Sequence, residues 1–194
     1  MANPLYGQNK LDDSIEKKRN VITLGGKTSV TSLTADNTGS LIVLDGTVAQ
    51  IQVLNLPTVK PEDIGTYYDF LVTAIGASGA AGSYTINTGG HASDWDSSTV
   101  GYDDFHPAST LLIAEPTIVA TGDKLTVLPA SGDGTMILAN NTSNAIIALG
   151  SNFRMTAVAQ STLGTASTNV WFVQGTLYTS QATGFVTGAL FTAP

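Results

Sequence analysis

The chain has no cysteine in its 194 residues, which excludes disulfide staples and thiolate metal sites. That fits synthesis in a reducing cytoplasm. Charge is scarce as well. Charged residues make up 12% of the chain, about half the usual share. Lys10, Lys17, Lys18 and Arg19 are half of the eight basic residues and all lie in the first 19 positions. The remaining cations are Lys27, Lys60, Lys124 and Arg154, in a chain of formal net charge −7. Phosphate contacts need clustered Lys and Arg, so nucleic acid is not an expected partner. No apolar run approaches the roughly 18 residues of a membrane span, and no membrane partner is expected. The first residues lack the charged-then-apolar order of a signal peptide.

Gly, Ser, Thr and Ala fill the place of charge, and aliphatic residues are abundant enough for one packed domain. Residues 1–20 read as an N-terminal arm, 21–178 as a β-sandwich domain and 179–194 as a C-terminal tail. In the arm, Asn9 is placed to cap a short helix, with Asp12 and Asp13 in its first turn and Lys17, Lys18 and Arg19 in its last. That order complements the helix dipole. Leu11 and Ile15 share one face of this helix, and Leu5 and Tyr6 are the apolar residues of the extended lead. These four, with Lys17, Lys18 and Arg19, are the candidate residues for contact with a partner or with another subunit.

The body is organised around Val30–Pro57. Thr34 to Gly39 forms a turn, Leu41 to Leu44 a strand, and Asp45-Gly46 signals a hairpin into Val48–Leu56. The expectation is a three-stranded meander, with a bulge near Val53 to reconcile Ile51 and Val53 with Leu54 and Leu56. Tyr67 to Ile75 alternates clearly and reads as a central strand. Further strands are expected at 21–24, 83–87, 110–114, 117–120, 124–128, 135–139, 145–149, 152–160 and 170–177. Tyr68, Phe70 and Val72 are expected to be buried with Leu54, Leu56 and Phe172. Strands at short, regular intervals point to an all-β fold, an antiparallel jelly-roll-like β-sandwich. The tail carries Phe185, Val186, Leu190 and Phe191 as possible anchors rather than a core element.

Chemistry-bearing groups gather in the long aperiodic stretch at residues 88–108. His91, Asp94, Asp96, Asp103, Asp104 and His106 are metal-ligand types, but their spacing matches no tight motif, and a solvated or partner-facing acidic loop is the preferred reading. Asp94 and Asp103 have no special claim to the paired-carboxylate role of a glycosidase. Trp95, Tyr102 and Phe105 are candidates for a surface loop contact with a sugar or a protein, and packing of the loop back onto its own sandwich is the equal alternative. Gly25-Gly26-Lys27-Thr28 lacks the earlier glycine of a phosphate loop, and Gly76-Ala77-Ser78-Gly79 is not a nucleophile elbow. No catalytic residue, metal or cofactor is assigned.

Two parts of the chain resemble virion structural proteins of tailed bacteriophages. Met1-Ala2-Asn3-Pro4-Leu5-Tyr6-Gly7-Gln8-Asn9-Lys10 is similar to the start of many small structural proteins of marine phages. The body is similar to a phage β-sandwich module through four short motifs. They are Leu33-Thr34-Ala35-Asp36-Asn37-Thr38-Gly39, Leu54-Asn55-Leu56-Pro57, Tyr67-Tyr68-Asp69-Phe70-Leu71-Val72 and Trp171-Phe172-Val173-Gln174-Gly175. Ser40 stands where that module often carries lysine. The resemblance implies a capsid decoration (cement) protein, not an enzyme, that binds the major capsid protein on the outer surface of the virion, commonly as a homotrimer. A phage tail or fibre component is the runner-up. A carbohydrate-binding module or glycan hydrolase using residues 88–108 is the competing class.

Overall fold

The computed structural model describes residues 19–24, 30–45, 51–74, 82–88, 105–106, 108–114, 125–127, 129, 134–140, 149–160, 168–178 and 190–192. The strands expected at 117–120 and 145–149, apart from Leu149 in a turn, fall outside them, as do residues 1–18 of the arm. The described strands are β1 (Val21–Leu24), β2 (Thr31–Ser32), β3 (Leu41–Asp45), β4 (Ile51–Asn55), β5 (Tyr67–Ala74) and β6 (Gly82–Asn87) in the first part. They continue as β7 (Thr110–Ala114), β8 (Leu125–Val127), β9 (Thr135–Asn140), β10 (Asn152–Gln160), β11 (Thr168–Tyr178) and β12 (Phe191–Thr192). The fold is all-β. One sheet runs β1-β3-β5-β10-β11-β7-β8 and the other β12-β9-β6-β4-β2.

Both sheets are mixed, which corrects the antiparallel expectation. The pairs β1·β3, β3·β5, β2·β4, β4·β6 and β7·β11 are parallel. The reason is the path of the chain. β1, β3 and β5 lie in the larger sheet, while β2, β4 and β6 lie in the smaller one. The first six strands therefore wind as three coils, each laying one strand in each sheet. Val21 sits beside Leu41, and Leu41 beside Asp69. No hairpin forms at Asp45-Gly46, because β3 and β4 are in different sheets. The meander is corrected to a coil that crosses between layers. β9 and β10 then pair antiparallel with β6 and β5, and so join both sheets to the second half of the chain.

Each inner face follows the two-residue period of a strand. Ile42 and Leu44, then Tyr68, Phe70 and Val72, then Phe153, Met155 and Ala157, then Trp171, Val173 and Leu177 line the larger sheet. Leu54 and Leu56, Tyr84 and Ile86, and Met136 and Leu138 line the smaller. All belong to one hydrophobic cluster, so the sheets share a single core in the manner of a sandwich. Three expectations are corrected here. β4 runs in continuous register with β6 without a bulge, and buried Gln52 takes the place next to Leu54. Trp171, not Phe172, faces the core; Phe172 is half-buried on the outer face. The tail also contributes to the core. Leu190 and Phe191 are buried, and β12 pairs with β9, so these two anchors belong to the sandwich. Phe185 and Val186 lie outside the described residues.

Candidate functional site

Two features stand out: a joint that ties the sheets together and an ion cluster on the outer face of the larger sheet. The joint begins at the turn before β3. The Asn37 N–H donates to the Thr34 carbonyl at 2.9 Å, and the Thr34 N–H donates to Asn37 Oδ1 at 3.0 Å. A one-turn 3-10 helix at Ala35–Asn37 results. Gly39 leaves it at φ 77°, a conformation that suits glycine, and its N–H donates to the Tyr67 carbonyl at 2.8 Å. The Tyr68 hydroxyl donates to the Thr34 carbonyl at 2.7 Å. Burial, with the charge of Asp63 as a lesser cause, pushes that phenol well above its ordinary pKa, so it remains a donor.

The same joint takes in the end of β4 and the late aromatic strand. The Leu33 N–H donates to the Asn55 carbonyl at 2.9 Å, which carries the β2·β4 ladder of the smaller sheet up to the start of the turn. The Trp171 indole N–H donates to the Pro57 carbonyl at 3.3 Å, and Asn169 Nδ2 donates to the Val59 carbonyl at 3.2 Å. The Tyr68 and Trp171 rings lie 5.6 Å apart at a tilt of 34°. A buried Tyr or Trp needs a partner for its polar atom, and both find one in a backbone carbonyl of a connecting segment. The four motifs singled out in the sequence are thus neighbours in space.

Outside the core, Asp69 on β5 faces Arg154 on β10, its partner in the ladder. Arg154 Nε donates to Asp69 Oδ1 at 2.6 Å and its terminal nitrogen to Oδ2 at 2.9 Å, a bidentate pair. The guanidinium also lies 4.4 Å from the centre of the Tyr67 ring. Arg19 completes the cluster by pairing with Asp69 Oδ2 and donating from Nε to the Gly39 carbonyl at 2.8 Å. Burial alone would raise the Asp69 carboxyl. The hydrogen bonds from Arg154 and Arg19, and their charges, outweigh it and hold the group below its ordinary pKa. The hydrogen bond that Arg154 donates to Asp69 in turn raises the pKa of the guanidinium.

Of the residues proposed for contacts, Arg19 is therefore engaged by the body of its own chain. Leu5, Tyr6, Leu11, Ile15, Lys17 and Lys18 lie outside the described residues, as do Trp95 and Tyr102. Phe105 is corrected: it is fully buried, bridges to Trp171 and meets Phe191 edge-on at 5.2 Å, so it offers no surface contact. His106 accepts the Ala108 N–H on Nδ1 at 2.9 Å and packs edge-on against Phe172. Among the described residues no group of His, Asp and Glu is placed to hold a metal ion. His91, Asp94, Asp96, Asp103 and Asp104 are outside them. The Arg19–Asp69–Arg154 cluster was missed in the sequence. Its signal was faint: Asp69 and Arg154 are the charged residues on the outward parity of two apolar strands.

Comparison with protein-family models, with curated proteins and with solved structures gives no match for this chain.

Proposed function

We propose that the chain is a non-enzymatic virion structural protein that decorates the outer surface of a capsid, binds across neighbouring copies of the major capsid protein and stabilises the shell. The observation that carries this reading is the joint. The motifs of the phage module, scattered from Leu33 to Gly175, converge on the hydrogen bonds of Tyr68 and Trp171 and bind the two sheets to each other. Residues that matter as one module are expected to meet in this way. The work is mechanical. A folded body that binds the assembled shell, and not the separated subunits, shifts the equilibrium toward assembly by mass action. A homotrimer multiplies weak contacts through effective concentration.

The reading keeps a jelly-roll-like body and a short N-terminal helical arm as its finer parts. Arg19 is the root of that arm, held by Asp69 and Gly39. Attraction to an acidic shell then falls to Lys17 and Lys18, with apolar contacts from Leu5, Tyr6, Leu11 and Ile15. Salt weakens the charged part. The competing glycan-binding reading loses Phe105, which is inside the core.

Deleting residues 2–18 tests the arm while leaving its root. The expected outcome is a protein that still sediments as a trimer but no longer pellets with purified capsids. Trimers that fall apart would make the arm a clamp between copies instead. Trimerisation and capsid binding that both survive would show that the arm takes part in neither.

A further inference from the structure

Among the described residues, the winding of the first six strands leaves one flank of the sandwich with no further strand in either sheet. β1 ends the larger sheet, and β2 ends the smaller. They are the two strands of the first coil, so their edges lie on the same side of the body. The Leu41 N–H donates to the Asn20 carbonyl at 2.8 Å, and Leu41 is the register partner of Val21. In a strand, alternate residues turn their N–H and C=O the same way. Val21 and Thr23 therefore aim theirs away from β3, and no described strand takes them up. Natural edges are commonly protected by charge, proline or a bulge. β1 (Val-Ile-Thr-Leu) and β2 (Thr-Ser) carry no charge and no proline, and β1 pairs with β3 without a bulge. Val21 is 54% exposed and Val30, next to β2, is 58% exposed.

We propose that this β1/β2 flank is the surface through which a second copy of the chain docks, continuing both sheets. Three observations select that occupant. Two strand edges separated by the roughly 10 Å thickness of a sandwich need a partner that is itself two-layered, and a single extended peptide would serve only one of them. A copy of this chain is such a body. Copies with a formal net charge of −7 repel one another, and two edge strands without a charge of their own are where two of them approach at least cost. Finally, the described charged residue nearest β1 does not lie along its free edge. The Arg19 side chain is turned across β3 to Asp69 and Gly39, away from the free edge.

The proposal rests on the self-association in the preceding reading and names its surface. The test is the mass of the full chain over a concentration series, by sedimentation, for four proteins: wild type, Val21→Lys/Val30→Lys, Thr23→Pro and Ile64→Lys. The lysines add charge at exposed sites, and Thr23→Pro removes an outward N–H that β3 does not use. Ile64 is another exposed apolar residue, in the connection that reaches β10 in the middle of the larger sheet, and its variant is the control. The expected result is association by wild type and Ile64→Lys, weakened at least tenfold in both flank variants, with unchanged circular dichroism. A wild type that stays monomeric overturns self-association and this surface together. Association that persists in both flank variants overturns the surface alone. In both cases pelleting with capsids, scored separately, shows whether the decoration reading survives.

Discussion

Replacing Phe70 by alanine is expected to destabilise the protein by about 3–5 kcal/mol, the usual cost of deleting a core aromatic and leaving a cavity. Phe70 is 1% exposed on the central strand β5. Its ring stacks on Phe153 of β10 with centroids 4.6 Å apart and planes 7° from parallel. Such a pair is worth roughly 0.5–1.5 kcal/mol beyond the area it buries. β5 and β10 also form the seam where the parallel coil meets the antiparallel half, so a cavity there cannot be closed by shifting one loop. A loss of this size is a large part of the roughly 5–15 kcal/mol that holds a typical domain together. Chemical denaturation checks it. An unchanged midpoint would mean that the inner face of β5 has been misassigned.

The second large effect is expected at Gly175. This residue lies opposite Phe153 in the β10–β11 ladder, on the parity that carries Trp171, Val173 and Leu177 inward. A Cβ added there would collide with the backbone and Cβ of Phe153 and with the carbonyl oxygen of Asn152. The obstacle is mostly main chain, so no rotamer change relieves it and the strands must separate. Overpacking of a tight core costs about 1–3 kcal/mol and sometimes more. We expect Gly175→Ala to reach the top of that range, about 3 kcal/mol. The sign is diagnostic. At an unobstructed strand position the same change would stabilise by roughly 0.5–1 kcal/mol, because glycine loses more conformational freedom on folding. A higher denaturation midpoint for Gly175→Ala would contradict the packing of β10 against β11.

The local elements were legible in the sequence. Thr110–Ala114 and Asn152–Gln160 are found with the expected ends. Tyr67 onward is an interior strand with its even-numbered residues inward, as its alternation requires. What alternation cannot carry is the sheet to which a strand belongs. Asp45-Gly46 marks a break between apolar runs, but a chain that leaves a strand can pair back on it or cross to the facing layer. Here it crosses, and the same choice made three times creates the coil. Parity was ambiguous where polar markers were missing. Val170-Trp171-Phe172-Val173 is apolar on both faces, and only the register with β10 places Trp171 inside. Gln52 misled in the opposite way, because a buried polar residue in an inner row looks like the outer face of a bulged strand. Leu190 and Phe191 are two apolar residues in a Thr/Gly/Ala-rich segment, too few to announce β12.

The candidate site divides in the same manner. The four motifs were visible as short strings, and their meeting at Tyr68 and Trp171 depends on contacts between residues as distant as Pro57 and Trp171. The Asp69 cluster depends on pairs separated by 50 and 85 positions. No local pattern encodes such separations. Arg19 shows the consequence. Its place at the end of a basic run suggested a partner outside the chain, and the fold supplies one inside it.

The place proposed for this body is the outside of a capsid shell. Electron cryomicroscopy of particles assembled with and without the chain tests it most directly. Additional density is expected on the outer surface of the particles that contain it, at junctions between neighbouring capsid subunits, with a shape into which the two-sheet sandwich fits. Density confined to the tail or fibres, or a bare shell in particles that contain the chain, would contradict it.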